Sequence, residues 1–277
     1  MNDVANVEAW SGKDRGDENF PVGSRLIRPA LRPHIHAFYA FARNADDIAD
    51  SAALAPEEKL ARLDVMEAVL LGRAEAGSPS ALALRASLAT TGVSAVHASE
   101  LLIAFRRDAT KQRYATLSEL YEYCRYSAAP VGRYVLDLHG ESYKAHAPSD
   151  ALCSALQVLN HMQDCARDLA TLDRCYLPED LMAEFGTTIA DLRKPAETPG
   201  MRKVFDSLLH RVDRMTRFAS DLPKRTRDRR LRLETAVIVG LAKRLANRLK
   251  RQDPLAARVK LTKRDLATST LVALRFL

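Results

Sequence analysis

Tyr39, Arg43, Asp46 and Asp50 follow one another at steps of four, three and four residues inside the Ala-rich stretch Phe38-Tyr39-Ala40-Phe41-Ala42-Arg43-Asn44-Ala45-Asp46-Asp47-Ile48-Ala49-Asp50. On an α-helix that spacing draws a single stripe, with Asp46 and Asp50 one turn apart. Among apolar neighbours the two carboxylates would repel each other and lose hydration. A cation between them relieves both penalties. A second stripe occurs later: Gln157, Asn160, Asp164 and Asp168, at steps of three, four and four, among Leu156, Val158, Leu159, Met162 and Leu169. One acidic i,i+4 pair is ordinary on a solvated helix. Two such pairs, each with a polar residue one turn earlier and apolar neighbours, suggest shared chemistry. Mg2+ takes oxygen ligands, keeps several waters, and commonly uses one or two carboxylates plus phosphate oxygens. Two facing pairs therefore suit Mg2+ ions, or Mn2+, holding a diphosphate. The competing reading is a set of buried salt bridges with Arg43 and Arg167.

The elements that must present these stripes are helices. Proline starts and glycine or polar breaks divide the chain into helical patterns at about 33–50, 56–71, 79–90, 93–107, 116–139, 149–171, 199–221 and 228–251, with a short helix opened by Pro178. The 116–139 pattern is bent around Pro130-Val131-Gly132, and a tail follows Asp253-Pro254. Neither a period-two strand flanked by hairpin turns nor a fixed-period repeat is present. The expectation is an all-α fold of about ten helices, with 1–17 as a flexible leader and 18–277 as one domain.

At 277 residues and 47% hydrophobic content the chain can bury a large core. It has no run of 18 apolar residues, and its first 16 residues lack the apolar core of a secretory signal. Cys124, Cys153, Cys165 and Cys175 show no C-x-x-C spacing, which fits reduced thiols and a cytoplasmic setting. Charge is uneven. Residues 201–264 hold 20 Lys+Arg against 6 Asp+Glu, although the whole chain is only +7. That basic third suits a solvated helix face or an anionic partner. Phe205 and Phe218 are its only aromatics, too few for base stacking, so nucleic acid is not expected. Lys224-Arg225-Thr226-Arg227-Asp228-Arg229-Arg230 suits peripheral contact with anionic lipid at the inner face of a membrane.

The two stripes resemble the aspartate-rich motifs of the squalene/phytoene synthase family. Between them, Tyr123-Cys124-Arg125-Tyr126-Ser127-Ala128-Ala129-Pro130-Val131-Gly132 resembles the family's tyrosine segment, and Arg174-Cys175-Tyr176-Leu177-Pro178 its Arg-x-Tyr-x-Pro segment. All four matches occur in the family's order. The resemblance implies the isoprenoid-synthase helical fold, a central cavity flanked by two Asp-rich helices, and Mg2+-assisted loss of diphosphate. It further implies metal ligation by Asp46, Asp50, Asn160, Asp164 and Asp168. Tyr39, Arg43, Gln157, Asn160, Arg174 and Tyr176 would bind substrate, and Tyr123 would sit at the reacting carbons. Read without the resemblance, Tyr123 is a core tyrosine bonded through its hydroxyl.

The family's Ser-x-Ser-Phe segment is replaced here by Glu18-Asn19-Phe20, its Val-Ala-Gly by Ser127-Ala128-Ala129-Pro130, and no tyrosine follows Tyr176. These departures weigh against condensation of two prenyl diphosphates such as farnesyl diphosphate. The wording Glu-Asn-Phe-Pro-Val-Gly-Ser, Tyr-Cys-Arg-Tyr-Ser-Ala-x-Pro-Val-Gly-Arg and Leu-Asn-His-Met-Gln-Asp-Cys resembles a bacterial branch of hopanoid biosynthesis. For that branch the implied reaction is presqualene diphosphate plus water to hydroxysqualene and diphosphate, with handover to a reducing enzyme. No Gly-x-Gly-x-x-Gly fingerprint occurs, and NADPH is not expected. Two alternatives stand beside it: a condensing synthase of the same family, and a non-catalytic helical protein that docks on anionic membrane.

Overall fold

The computed structural model describes residues 6–8 and 26–276. Most of the expected leader, and the Glu18-Asn19-Phe20 departure, lie outside the described residues. Twelve α-helices occur among the described residues: α1 (Arg32–Asp50), α2 (Pro56–Leu70), α3 (Pro79–Thr91), α4 (Val96–Thr110), α5 (Leu117–Ser127), α6 (Ala129–Leu138), α7 (His146–Leu172), α8 (Glu179–Glu184), α9 (Pro199–Ala219), α10 (Leu222–Arg225), α11 (Arg229–Leu249) and α12 (Lys263–Ala273). The expected all-α fold is what the chain forms. No strand is present among the described residues beyond one isolated bridge between Arg113 and Cys175.

Helix starts follow local chemistry. Ser78, Thr116 and Thr198 accept the backbone N–H groups of Ala81, Glu119 and Met201, and Asp228 accepts those of Arg230 and Leu231. Proline in the first turn of α2, α3 and α9 fits a position with no N–H to satisfy. The bent helix expected over 116–139 is in fact two, broken at Ala128 (φ −125°, ψ −46°), because Pro130 then sits in the first turn of α6. α7 begins at His146, earlier than expected, and Asp173 closes it in the left-handed region at φ 49°. The tail after Asp253-Pro254 also contains a helix, α12. Only Asp265, Ser269 and Ala273 of that helix are buried, so its apolar periodicity is weak.

α1 and α7 run through the centre. α1 packs on α3 and α4, while α7 lies against α5, α6, α9 and α11. Phe41, Ala45 and Ile48 of α1 and Leu159 and Met162 of α7 are wholly buried. Phe38 stacks on Tyr134 of α6 at 4.0 Å, and the Tyr134 hydroxyl donates to the His34 carbonyl at 3.0 Å, which fixes the rotation of α1. Lys59 donates to the Ala49 carbonyl at 2.9 Å, placing positive charge at the C-terminal end of α1. The segment after α7 is strapped to the α4–α5 loop: the Cys175 N–H bonds to Gln112 O, the Glu179 N–H to Tyr114 O, and Arg113 pairs with Asp173 at 2.7 Å. This strap carries Arg174 and Tyr176 beneath the end of α4.

Gly132 explains why α6 can lie so close to α7. A Cβ there would fall 2.3 Å from Ser149 Oγ and 2.7 Å from Cys153 Sγ. Gly132→Ala should therefore destabilise the protein by about 1–3 kcal/mol through overpacking, despite the better helix propensity of alanine, as read by urea or thermal unfolding.

Candidate active site

Tyr39, Arg43 and Asp46 of α1, Tyr123 of α5, and Gln157 and Asn160 of α7 line one cleft of about 290 Å3. Ala42, Phe105, Val131 and Leu156 form its apolar walls. Behind it lies a second hollow of about 190 Å3, almost entirely apolar, which shares Val131, Cys153 and Leu156 with the first. Polar groups thus gather on one side of an apolar passage. Asp50, Asp164 and Asp168 do not line the cleft. They lie one or two turns further along the same two helices.

Electrostatics tie the two stripes together. Loss of hydration pushes the Asp46 carboxyl well above the usual range, the Asp50 charge adds to this, and Arg43 only partly offsets it. About 35% of the Asp46 side chain remains accessible, so solvent still reaches the group. Asp168 is pushed up to about 6, first by burial and then by the charges of Asp164 and of Asp50 on the opposite helix. The acidic ends of α1 and α7 therefore feel each other. Counter-ions are also present. Arg43 sits 3.1 Å from Asp46 and 2.7 Å from the buried Asp47. Asp164 is held by Arg167 at 3.0 Å and by Arg258, which reaches in at 2.9 Å from the segment between α11 and α12. The main-chain carbonyl of Val259 accepts a bond from Gln163, fixing that segment against α7. Salt-bridge and cation-site readings thus describe the same residues, because the arginines occupy carboxylates that remain in partial excess.

The donor set fits a hard divalent cation. Asp46, Asp50, Asn160, Asp164 and Asp168 offer carboxylate and amide oxygens, and the charges of Asp50 and Asp164 add to the raised proton affinity of Asp46 or Asp168. Among the described residues no group of three or more His, Cys, Asp or Glu is close enough to hold an ion unaided. Ions there would need oxygens from a bound anion and water to complete their shells.

Arg174 and Tyr176 stand behind the cleft and do not line it. Arg174, 3% exposed, donates to Asp50 at 2.8 Å, to the Tyr176 hydroxyl at 3.1 Å and to the Asp108 carbonyl at 2.6 Å. Its visible role is to brace Asp50 from below. The Asp108 carboxylate accepts the Tyr123 hydroxyl at 2.7 Å and the Tyr176 hydroxyl at 2.8 Å. Burial pushes Asp108 up to about 6, opposed by Arg174 and by these two hydroxyls. Both phenols are driven well above their usual range, by burial first and then by the Asp108 charge. His161 stacks on Tyr176 at 3.7 Å, and its ring is pushed down to about 3 by burial and the Arg174 charge, so it is neutral. Asp47 and Asp108 were not among the sequence candidates. A signal for Asp108 existed: His97, Leu101, Ala104 and Asp108 fall on one buried stripe of α4.

These shifts set the sign of a pH effect. Carboxylates in the unfolded chain titrate near 4, whereas Asp168 in the folded protein takes up its proton near 6. Between those values the folded state binds more protons, so this group's contribution to stability falls as pH rises through the window. Asp168→Asn should raise the Tm of the metal-free protein at pH 8 by roughly 2–4 °C, about what 1 kcal/mol produces in a chain near this size. The advantage should shrink as pH falls below 6 and vanish only below about pH 4, where the unfolded chain is protonated too, which a pH series of thermal melts would show.

The squalene/phytoene synthase family model matches residues 13–265. The chain is 46% identical over 254 residues to the hydroxysqualene synthase of Rhodopseudomonas palustris, an alignment covering 92% of this chain and 87% of that protein. It is 45% identical over 250 residues to the hydroxysqualene synthase of Sinorhizobium fredii, covering 90% and 85%. A solved structure of a squalene synthase from Alicyclobacillus acidocaldarius superposes with a TM-score of 0.75 at 35% identity, over 86% of this chain and 90% of that one. On this agreement across most of its length, the chain belongs to the squalene/phytoene synthase family.

Proposed function

We propose that this protein converts presqualene diphosphate and water into hydroxysqualene and diphosphate, a lyase step on the way to squalene and hopanoids. The observation that carries the reading is the convergence of two acidic stripes at one side of an apolar cleft, in a chain so similar to hydroxysqualene synthases. Asp46, Asp50, Asn160, Asp164 and Asp168 would hold Mg2+, which when bound neutralises charge on the departing diphosphate. Arg43, Tyr39 and Gln157 bind and orient the diphosphate end. Arg174 and Tyr176 act from behind, keeping Asp50 and Tyr123 in place. The apolar walls and the second hollow hold the hydrocarbon chains and exclude bulk water from the cation left by diphosphate loss. Exchanging diphosphate for hydroxide is redox-neutral, so the reaction calls for no NADPH.

Incubation with Mg2+ and presqualene diphosphate, without NADPH, should yield hydroxysqualene. Consumption of farnesyl diphosphate alone would instead point to the condensing synthase. Asp46→Asn and Asp164→Asn should each lower Mg2+-dependent turnover by about 10^2-fold or more, the scale on which a lost charge stabiliser acts. Full turnover in either variant would refute metal binding at both stripes.

Peripheral membrane contact is a further part of this reading, since substrate and product carry long hydrocarbon chains. No helix among the described residues is long and apolar enough to cross a membrane. In the 224–230 stretch, Arg225 and Arg227 donate to the carbonyls of Lys144 and Gly140, and Arg227 also faces Glu141 at 3.7 Å, so these two side chains are tethered to the fold. The better-supported face is α12 and the turn after it, where Leu266, Leu271, Val272 and Leu274 are exposed beside Lys263, Arg264 and Arg275. Leu271→Glu with Val272→Glu should reduce flotation with anionic liposomes several-fold and leave flotation with neutral ones at background.

A further inference from the structure

We propose that Asp108, acting through Tyr123, accepts the proton released when water captures the cation, and so directs the reaction to an alcohol. This rests on the hydroxysqualene-forming reading above.

Hydrogen-bond directions around Asp108 fix where the protons sit. Arg174 Nη1 donates to the Tyr176 hydroxyl at 3.1 Å, and Tyr176 in turn donates to Asp108 Oδ1 at 2.8 Å. Tyr123 lies 3.3 Å from the Tyr176 hydroxyl but 2.7 Å from Asp108 Oδ2, so its proton belongs to the carboxylate. Tyr123 also lines the cleft. With its hydrogen committed to Asp108, its oxygen keeps acceptor capacity. In the proposed relay that capacity serves the cleft which Tyr123 helps to line.

A water bonded there donates one hydrogen to Tyr123 Oη and turns its own lone pairs toward the reacting carbon. When the cation forms, one lone pair of the water oxygen makes the C–O bond. The protonated alcohol passes its hydrogen to Tyr123 Oη as the phenol hydrogen moves to Asp108 Oδ2. Cation and carboxylate become neutral alcohol and neutral carboxylic acid, with no change of oxidation state. Once product leaves and water refills the cleft, the reverse relay returns the proton to solvent.

Rival acceptors are weaker or worse placed. His161 is neutral and stacks behind Tyr176, off the cleft lining, and its proton affinity lies below that of Asp108. Asp46 also lines the cleft, but besides pairing with Arg43 it is one of the residues that would hold Mg2+, which would occupy its oxygens and leave it no base for this proton. The elevated affinity of Tyr123 for its own proton keeps it a conduit, because phenolate does not accumulate. The Asp108 carboxyl, pushed up to about 6, is largely ionised at neutral pH yet a better base than a solvated aspartate.

The test is product analysis of Asp108→Asn and Tyr123→Phe, as Mg2+-loaded full-length proteins given presqualene diphosphate. Asparagine keeps the size and one acceptor oxygen at position 108 but cannot take the proton. Both variants should still release diphosphate, slowed by up to about tenfold, while the alcohol share of the products falls at least about tenfold in favour of hydrocarbon formed by proton loss. Asp108→Glu should restore part of the alcohol share. Hydroxysqualene in the parent's proportion from either variant would overturn the relay and leave the diphosphate itself as the base. If Asp108→Asn fails to fold, Tyr123→Phe decides alone, since it leaves the buried carboxylate intact. A parent protein that releases no diphosphate from presqualene diphosphate would remove the underlying reading, and the relay with it.

Discussion

Negative charge crowded into a poorly hydrated seam between α1 and α7 is the constraint on which the rest of this structure depends. Asp50 raises the cost of ionising Asp46 and Asp168, Asp164 raises that of Asp168, and burial raises both further. Left alone, such a cluster would protonate or push the helices apart. The fold answers with arginines from several directions: Arg43 from within α1, Arg167 from within α7, Arg174 from the strap below and Arg258 from the C-terminal segment. None of them abolishes the excess. A site that still favours added positive charge is what a metal-bound diphosphate requires.

The supporting elements become intelligible in that light. Arg174 is useful only if it reaches Asp50 without entering the cleft, which demands that residues 173–176 run under α4. The bridge to the α4–α5 loop and the Arg113–Asp173 pair hold them there. Gly132 and the break before α6 let that helix close on α7, bringing Val131 and Leu156 together as walls of both hollows. Each device shapes the apolar passage or anchors a charge at its mouth.

Much of this was legible in the chain because both stripes lie on long helices, where spacing fixes direction. Tyr39, Arg43, Asp46, Gln157 and Asn160 converge as their periodicity implies. What spacing could not give was everything that depends on a partner distant in sequence. Asp108 is a lone acid on a helix whose other buried residues look like ordinary core, and its meaning comes from Tyr123, Tyr176 and Arg174. The places of Arg174 and Tyr176 behind the cleft, as opposed to at its surface, follow from a strap between loops that leaves no periodic trace. α12 was missed for a related reason: a helix that buries only Asp265, Ser269 and Ala273 has almost no apolar stripe to read.

The uneven charge of the sequence has a comparable explanation. A net-positive C-terminal third beside a net-negative remainder suggests an external anionic partner, yet part of the compensation is internal. Arg258 reaches Asp164, Arg227 reaches the buried Glu141, and Arg202 pairs with Glu197. Asp228 runs the other way, accepting Arg28 at 2.5 Å. These contacts join the C-terminal helices to the acidic half at points that include the second stripe itself. Most surface pairs of this kind contribute little to stability on their own. Arg258 differs because its partner, Asp164, is a carboxylate of the charged seam, so the C-terminal segment is tied directly to that seam. Part of the charge asymmetry that looks like a docking signal therefore acts within the candidate site, through Arg258 on Asp164.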